Sequence, residues 1–429
     1  MPSPLAARPL HPAGNTTARP DPIIFTAGGP GASSLVAFYY GKNIRLLNER
    51  DFIVFEQRGT KYAQPSLDCP EVESENEGSF LSGLGVQADE AKELDAATVC
   101  FHRLTRAGID LAGYNNAEIA QDMIDLRQLL GIKSWNLYGL SYSTWIMMDV
   151  MRMDPTGVRS ALLESVEPPD VLYDEMGNAN LQRSLDVLFD ACATDLGCSR
   201  SYPDLRSSFA QMVRSLDRQP TEIVVKDSSN RSHQRPFTGR SAVDTIYSEL
   251  NNAAVIPDLP KAIYRASKGS YAALTALAQD GLSPDALSWG MRYSVWCADG
   301  APLDNPTIVD RQTYDAYPLF DGEISAAFNP AICVFWKVPA AAASEWLPLT
   351  SSIPTMIFAG EYDPNTPPSW GRRALRTLKN AYMYEFPSYS HTPSRSECAR
   401  EMTLAFFDNP MKAPDTTCFS RIKEPQFTL

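Results

Sequence analysis

Between the apolar run Ser134-Trp135-Asn136-Leu137-Tyr138 and a helical pattern over Thr144 to Arg152, the chain reads Gly139-Leu140-Ser141-Tyr142-Ser143. A strand that turns this sharply into a helix constrains the fold more than any other feature, because the strand that follows must then lie parallel to the first. Upstream, Ile119, Met123, Leu126 and Leu130 recur at helical spacing, with Asn115 or Asn116 as cap and Gly131 just past the end. Downstream, Val158 to Leu163 reads as the return strand. Strand, helix, strand, turn and helix in this order predict an α/β protein with a mostly parallel sheet.

Other strands are expected at Ile23 to Ala27 and Asp51 to Phe55, and again at Ile353 to Ala359 and Tyr382 to Phe386. Between them the pattern changes. From 170 to 347 helical segments dominate, including Leu181 to Cys192 and Asp204 to Leu216, with Pro-rich joints. The expected organisation is therefore a Pro-rich leader over 1–20, a core over 21–169, an inserted helical cap over 170–347, and the rest of the core over 348–429. The start, Met1 to Asp21, has no apolar stretch of the kind a signal peptide carries.

A nucleophile elbow requires a serine on a strained turn between strand and helix, and Ser141 has that context. Taken alone, it could equally be a helix-capping serine. A serine hydroxyl is a weak nucleophile and needs a base, with a third group fixing the base's tautomer. His391, in Ser388-Tyr389-Ser390-His391-Thr392-Pro393, follows a predicted strand, whereas His11, His102 and His233 are worse placed. Asp363, in Gly360-Glu361-Tyr362-Asp363-Pro364, also follows a predicted strand and precedes His391. The order serine, acid, histidine is the one expected of α/β-hydrolases. The tetrahedral intermediate also needs preorganised N–H donors. Gly28-Gly29-Pro30-Gly31 after the first strand can supply one, at Gly29, and Tyr142 directly after the nucleophile the other.

A net charge of −13 without any basic run disfavours nucleic acid and anionic lipid as partners. No G-K-[ST] follows a glycine loop and no G-x-G-x-x-G occurs, so no nucleotide cofactor is implied. Four histidines and no C-x-x-C pair give no support for a metal site. The eight cysteines leave two readings: buried thiols in a cytosolic enzyme, or four sequential bridges, Cys69 to Cys100, Cys192 to Cys198, Cys297 to Cys333 and Cys398 to Cys418. Each such loop is short enough to close locally, which favours the bridges and an oxidising compartment, secreted or periplasmic.

Several segments resemble the secreted prolyl- and tripeptidyl-aminopeptidase-like α/β-hydrolases of bacteria, serine peptidases related to proline iminopeptidase. Ala27-Gly28-Gly29-Pro30-Gly31 is similar to the family's HGGPG, Glu56-Gln57-Arg58-Gly59-Thr60 to DQRGTG, Gly139 to Thr144 to GGSYGT, and Gly360 to Pro368 to GExDPVTPP. Tyr293 to Asp299 and Pro414 to Cys418 also look like family segments, which favours the bridges further. The resemblance implies the α/β-hydrolase fold with a cap, Ser141, Asp363 and His391 as the triad, and release of residues from peptide N-termini. It also departs from the pattern: Ala27 replaces His, Glu56 replaces Asp, Ser143 replaces Gly, and Ser390-His391-Thr392 replaces Gly-His-Gly. The family normally has further strands before the oxyanion-loop strand, so the sheet edge here is expected to be exposed or covered by the leader or a partner.

Hydrolysis of a peptide or small ester through an acyl-enzyme is the expected function, with no cofactor. For a peptidase, acids facing the substrate ammonium are expected among Glu164, Glu167, Asp170 and Asp299. A carboxylesterase would need none. A catalytically silent binding protein is the alternative of another class, motivated by the altered motif positions.

Overall fold

The computed structural model describes residues 7–10, 19–41, 50–83, 86–227, 229–280, 287–304 and 329–429. Most of the 1–20 leader and part of the 170–347 segment therefore lie outside the described residues, as does His11. The strands are β1 (Ala7–Leu10), β2 (Arg19–Thr26), β3 (Arg50–Phe55), β4 (Trp135–Leu140), β5 (Val158–Glu164), β6 (Thr221–Lys226), β7 (Ser232–Phe237), β8 (Thr355–Gly360) and β9 (Ala381–Phe386). Seven form one sheet in the order β1-β3-β2-β4-β5-β8-β9. All its pairings are parallel except β1 with β3.

The runs 23–27, 51–55 and 353–359 were expected to be strands because they are apolar without alternation, the pattern of strands covered on both faces. β8 is buried along its whole length, and β2 over its last five residues. One face is packed by Ile24, Ile53, Leu137, Ile146, Met147 and Leu163, the other by Phe25, Phe52, Tyr138, Leu162, Phe358 and Phe406. The edge beside β3 is covered by leader residues 7–10, one of the outcomes expected for it. Elbow, strand order and parallel pairing make this the α/β-hydrolase fold.

The segment between β5 and β8 is mainly helical, as expected, but also carries the antiparallel hairpin β6–β7. Its parts pack differently. Leu181, Phe209, Phe237, Ile246 and Leu274 share a core of their own, joined by Tyr362. Met291, Tyr293, Trp296, Ile332 and Trp336 instead enter the main core. All eight cysteines are bridged in the sequential pattern. Among the described residues no helix is long and apolar enough to cross a membrane.

Candidate active site

β4 ends at Leu140 and the helix Ser143–Met153 begins three residues later. Ser141 between them has φ 59°, the left-handed region that costs a non-glycine residue of order 1–3 kcal/mol. The strain is held by neighbours: Ser141 N–H donates to Glu164 O at 2.9 Å, and Ser141 O accepts from Thr144 N and Thr144 Oγ1. The crossing is tight. A Cβ on Gly139 would come within 2.8 Å of Met147, and one on Gly28 within 2.8 Å of the Ser141 Cβ. The glycine loop therefore runs directly against the elbow.

Two of the altered motif positions have local partners that explain them. Ser143 Oγ accepts from Leu140 N–H at 2.8 Å and donates to Thr26 O at 2.8 Å, tying elbow to β2 where a glycine could not. Buried Glu56 accepts from Ser33 Oγ and Leu35 N–H, both at 3.1 Å, and so holds the start of the helix Ser34–Gly41. Ala27, in place of histidine, donates its N–H to Ser34 Oγ and accepts from Gln57.

Asp363 and His391 follow β8 and β9, the next two strands beyond β5. His391 Nδ1 lies 2.9 and 3.0 Å from the two Asp363 carboxylate oxygens. Asp363 is fully buried and accepts in addition from Asn365 N–H, Thr366 N–H and Thr366 Oγ1. Burial alone would raise its pKa, but the His391 charge and these hydrogen bonds outweigh it and hold the carboxyl below 3.8. Burial alone would likewise lower the His391 value, and the Asp363 charge reverses this, raising it above 6.5. Ser165 Oγ donates to His391 O at 2.7 Å, so adjacent residues at the end of β5 hold both the elbow and the histidine loop. Tyr142 opens the helix after the elbow, where backbone N–H groups have no partner within the helix.

The four acids fare differently. Glu164 has both oxygens engaged by protein groups, and Asp170 has one oxygen in an ion pair. Glu164 accepts from Tyr138 OH and from Ser394 N–H, each at 2.7 Å, and so braces the histidine loop from below. Asp170 pairs with Arg373 at 2.6 Å. Glu167 and Asp299, in contrast, line one pocket with Pro30, Tyr142, Trp145, Tyr173 and Trp296. Asp299 lies in the π-helical turn Trp296–Gly300, is 1% exposed, and accepts from Asn116 N–H with one oxygen. Its other oxygen is buried and has no hydrogen-bond partner among the described residues. Burial raises Asp299 to about 8 and Glu167 to about 7, the latter against the Arg292 and His391 charges.

Three features were not read from the sequence. Thr366 Oγ1 touches both Asp363 and His391 Nδ1, the latter at 3.2 Å. Tyr142 OH donates to Asn116, linking the elbow to the residue that binds Asp299. Arg292 reaches the glycine loop from the helix Trp289–Val295. Only the T-P-P sequence after Asp363, shared with the family motif, pointed toward Thr366.

The chain is similar to several known proteins. Residues 317–418, which include Asp363 and His391, match the family model described as TAP-like protein. The serine protease Hip1 of Mycobacterium tuberculosis is 22% identical over 405 residues, covering 86% of this chain and 75% of its own. Among solved structures, the proline iminopeptidase of Mycobacterium smegmatis aligns with a TM-score of 0.47 at 13% identity, over 96% of this chain and 99% of its own. An esterase of Exiguobacterium antarcticum aligns with a TM-score of 0.44 at 12% identity, over 95% and 96%. The chain has the α/β-hydrolase fold and is similar in sequence to a serine protease.

Proposed function

We propose that this chain is a serine aminopeptidase working through an acyl-enzyme, with Ser141 as nucleophile, His391 as base and Asp363 as the group that orients it. The observation that carries the reading is the His391 Nδ1 contact to both oxygens of buried Asp363, together with a serine on a left-handed turn that is tied, through Glu164 and Ser165, to the same strand end as the histidine loop. With Nδ1 committed to Asp363, Nε2 is the nitrogen left to take the Ser141 proton as the hydroxyl attacks the carbonyl. Charge on the tetrahedral oxygen meets the N–H groups of Gly29 and Tyr142. The imidazolium, stabilised by Asp363, then protonates the leaving amine, and water releases the acyl group by the same route reversed.

Glu167 and Asp299 give the peptidase reading its substrate end. Two carboxyls and four aromatic walls beside the elbow suit an ammonium group, which the rings attract through their faces and an ionised carboxylate neutralises. The insertion acts as a cap that limits entry to chain ends. Four bridges suit a secreted or periplasmic enzyme.

A panel of aminoacyl and tripeptidyl anilides, free or acetylated, beside short-chain nitrophenyl esters tests this. Free amino substrates are expected to be cleaved and their acetylated counterparts to be poor. Hydrolysis of esters alone would make the chain a carboxylesterase.

A further inference from the structure

Three successive carbonyls of the glycine loop face the start of the helix Trp289–Val295. Gly31 O accepts from Ser288 N–H at 2.9 Å. Arg292 Nη1 donates to Gly29 O at 2.9 Å and reaches Pro30 O at 3.4 Å. The guanidinium carbon is 4.9 Å from the Trp296 ring centroid and 5.7 Å from that of Trp289, so the fork is fixed on two indoles. Gly28, Gly29 and Gly31 bring no side chains with which the loop could hold itself. An oxyanion donor must nevertheless be preorganised, and a misplacement of about 1 Å can cost about 100-fold in rate. The loop's holder is thus supplied by the insertion, more than 250 residues further along the chain.

We propose that Arg292 is a positioning residue for the oxyanion loop: by gripping the Gly29 and Pro30 carbonyls it holds the two peptide planes that follow Gly29 and so limits the swing of the Gly29 N–H toward or away from the developing charge. The inference rests on the reading of Gly29 and Tyr142 as the oxyanion donors. Arg292 does not touch the reacting atoms in this role. One nitrogen, Nη1, serves both carbonyls while the flat guanidinium lies against two indoles, a stacked arrangement that a lysine ammonium reproduces only in part. Arg292 also acts on the charges of Glu167 and Asp174, so the loop effect is read cleanly on esters, which make no use of an ammonium site.

The experiment compares wild type, Arg292→Met and Arg292→Lys on a short-chain nitrophenyl ester, together with inhibition by an alkyl boronic acid, whose tetrahedral adduct places oxygen in the oxyanion site. In Arg292→Met, kcat is expected to fall about 10- to 100-fold and the boronate Ki to rise by a similar factor, with KM unchanged. Arg292→Lys should lie between, and methylguanidine should restore part of the Arg292→Met loss. Should the methionine variant fail to fold, the lysine variant carries the same comparison. Unchanged kcat and boronate affinity in a folded variant would overturn the inference while leaving the site reading intact. So would a loss of activity without any loss of boronate affinity. A wild type that neither cleaves the ester nor binds the boronate would refute the site reading itself, and this inference with it.

Discussion

Glu167 is buried beside the elbow, and removal from water raises its carboxyl to about 7 although the Arg292 and His391 charges pull it down. His391, raised above 6.5, must be neutral to act as base, so activity should climb with pH through a value above the ordinary imidazole one. A free amino substrate needs Glu167 ionised as well. Its kcat/KM should therefore rise more steeply, with about two deprotonations, and fall again above pH about 8 as the substrate amine loses its proton. An ester should follow His391 alone. In Glu167→Gln the free-amino substrate is expected to lose about 10- to 100-fold in kcat/KM and its steeper limb, while the ester keeps a single-deprotonation limb, moved to lower pH because the Glu167 charge no longer supports the imidazolium. Identical profiles for both substrates in wild type would remove Glu167 from substrate binding. Ser141, Asp363 and His391 were legible in the sequence because each residue type follows a strand, in an order that one fold explains. The acids were legible only as a set. Glu164 and Glu167 are neighbours in sequence, yet one is spent on Tyr138 and Ser394 and the other faces the pocket, a difference set by partners in distant segments.

At the scale of elements, the bridges differ in how much chain they close. Cys69–Cys100 spans 31 residues and Cys192–Cys198 only 6. In the chain-entropy picture the first stabilises by about 4 kcal/mol and the second by about 2 kcal/mol. Replacing each pair by serine and measuring denaturant unfolding should reproduce that order, and the reverse order would show that native contacts, not loop closure, set the effect. Titration of the denatured, unreduced protein should find no thiol. The long strands and the helix Asn116–Leu129 were legible because burial on both faces and helical periodicity leave strong patterns. β6 and β7 were not. Thr221 to Lys226 alternates buried and exposed residues over one short hairpin inside a helical stretch, and Pro236 argues locally against a strand. β1 is four residues long and contains a proline, so only its position beside β3 makes it a strand.

Across the whole molecule, several buried groups hold protons that the unfolded chain would release. Burial lifts Asp299 from 3.8 to about 8 and Glu167 from 4.5 to about 7, and burial with the Asp304 charge raises Asp174. Between the unfolded and folded values the native state binds more protons, so each of these groups makes stability fall as pH rises. His391 adds the same sign: its contribution is full below the unfolded value and is lost as pH climbs through the raised folded one. Asp363 acts oppositely, but its stability is lost only in strong acid, as pH falls through a value below 3.8. The melting temperature should therefore decline from about pH 5 to pH 8, and Asp299→Asn should flatten the decline. A melting temperature that rises over this range would contradict the protonated pocket. The central claim, that one hydroxyl on the elbow performs the chemistry, is tested most directly by treating the folded protein with a fluorophosphonate and mapping the adduct by peptide mass spectrometry. A single adduct on Ser141, absent from Ser141→Ala, is the predicted result. An adduct on another residue, or a folded wild type that takes none, would contradict the account.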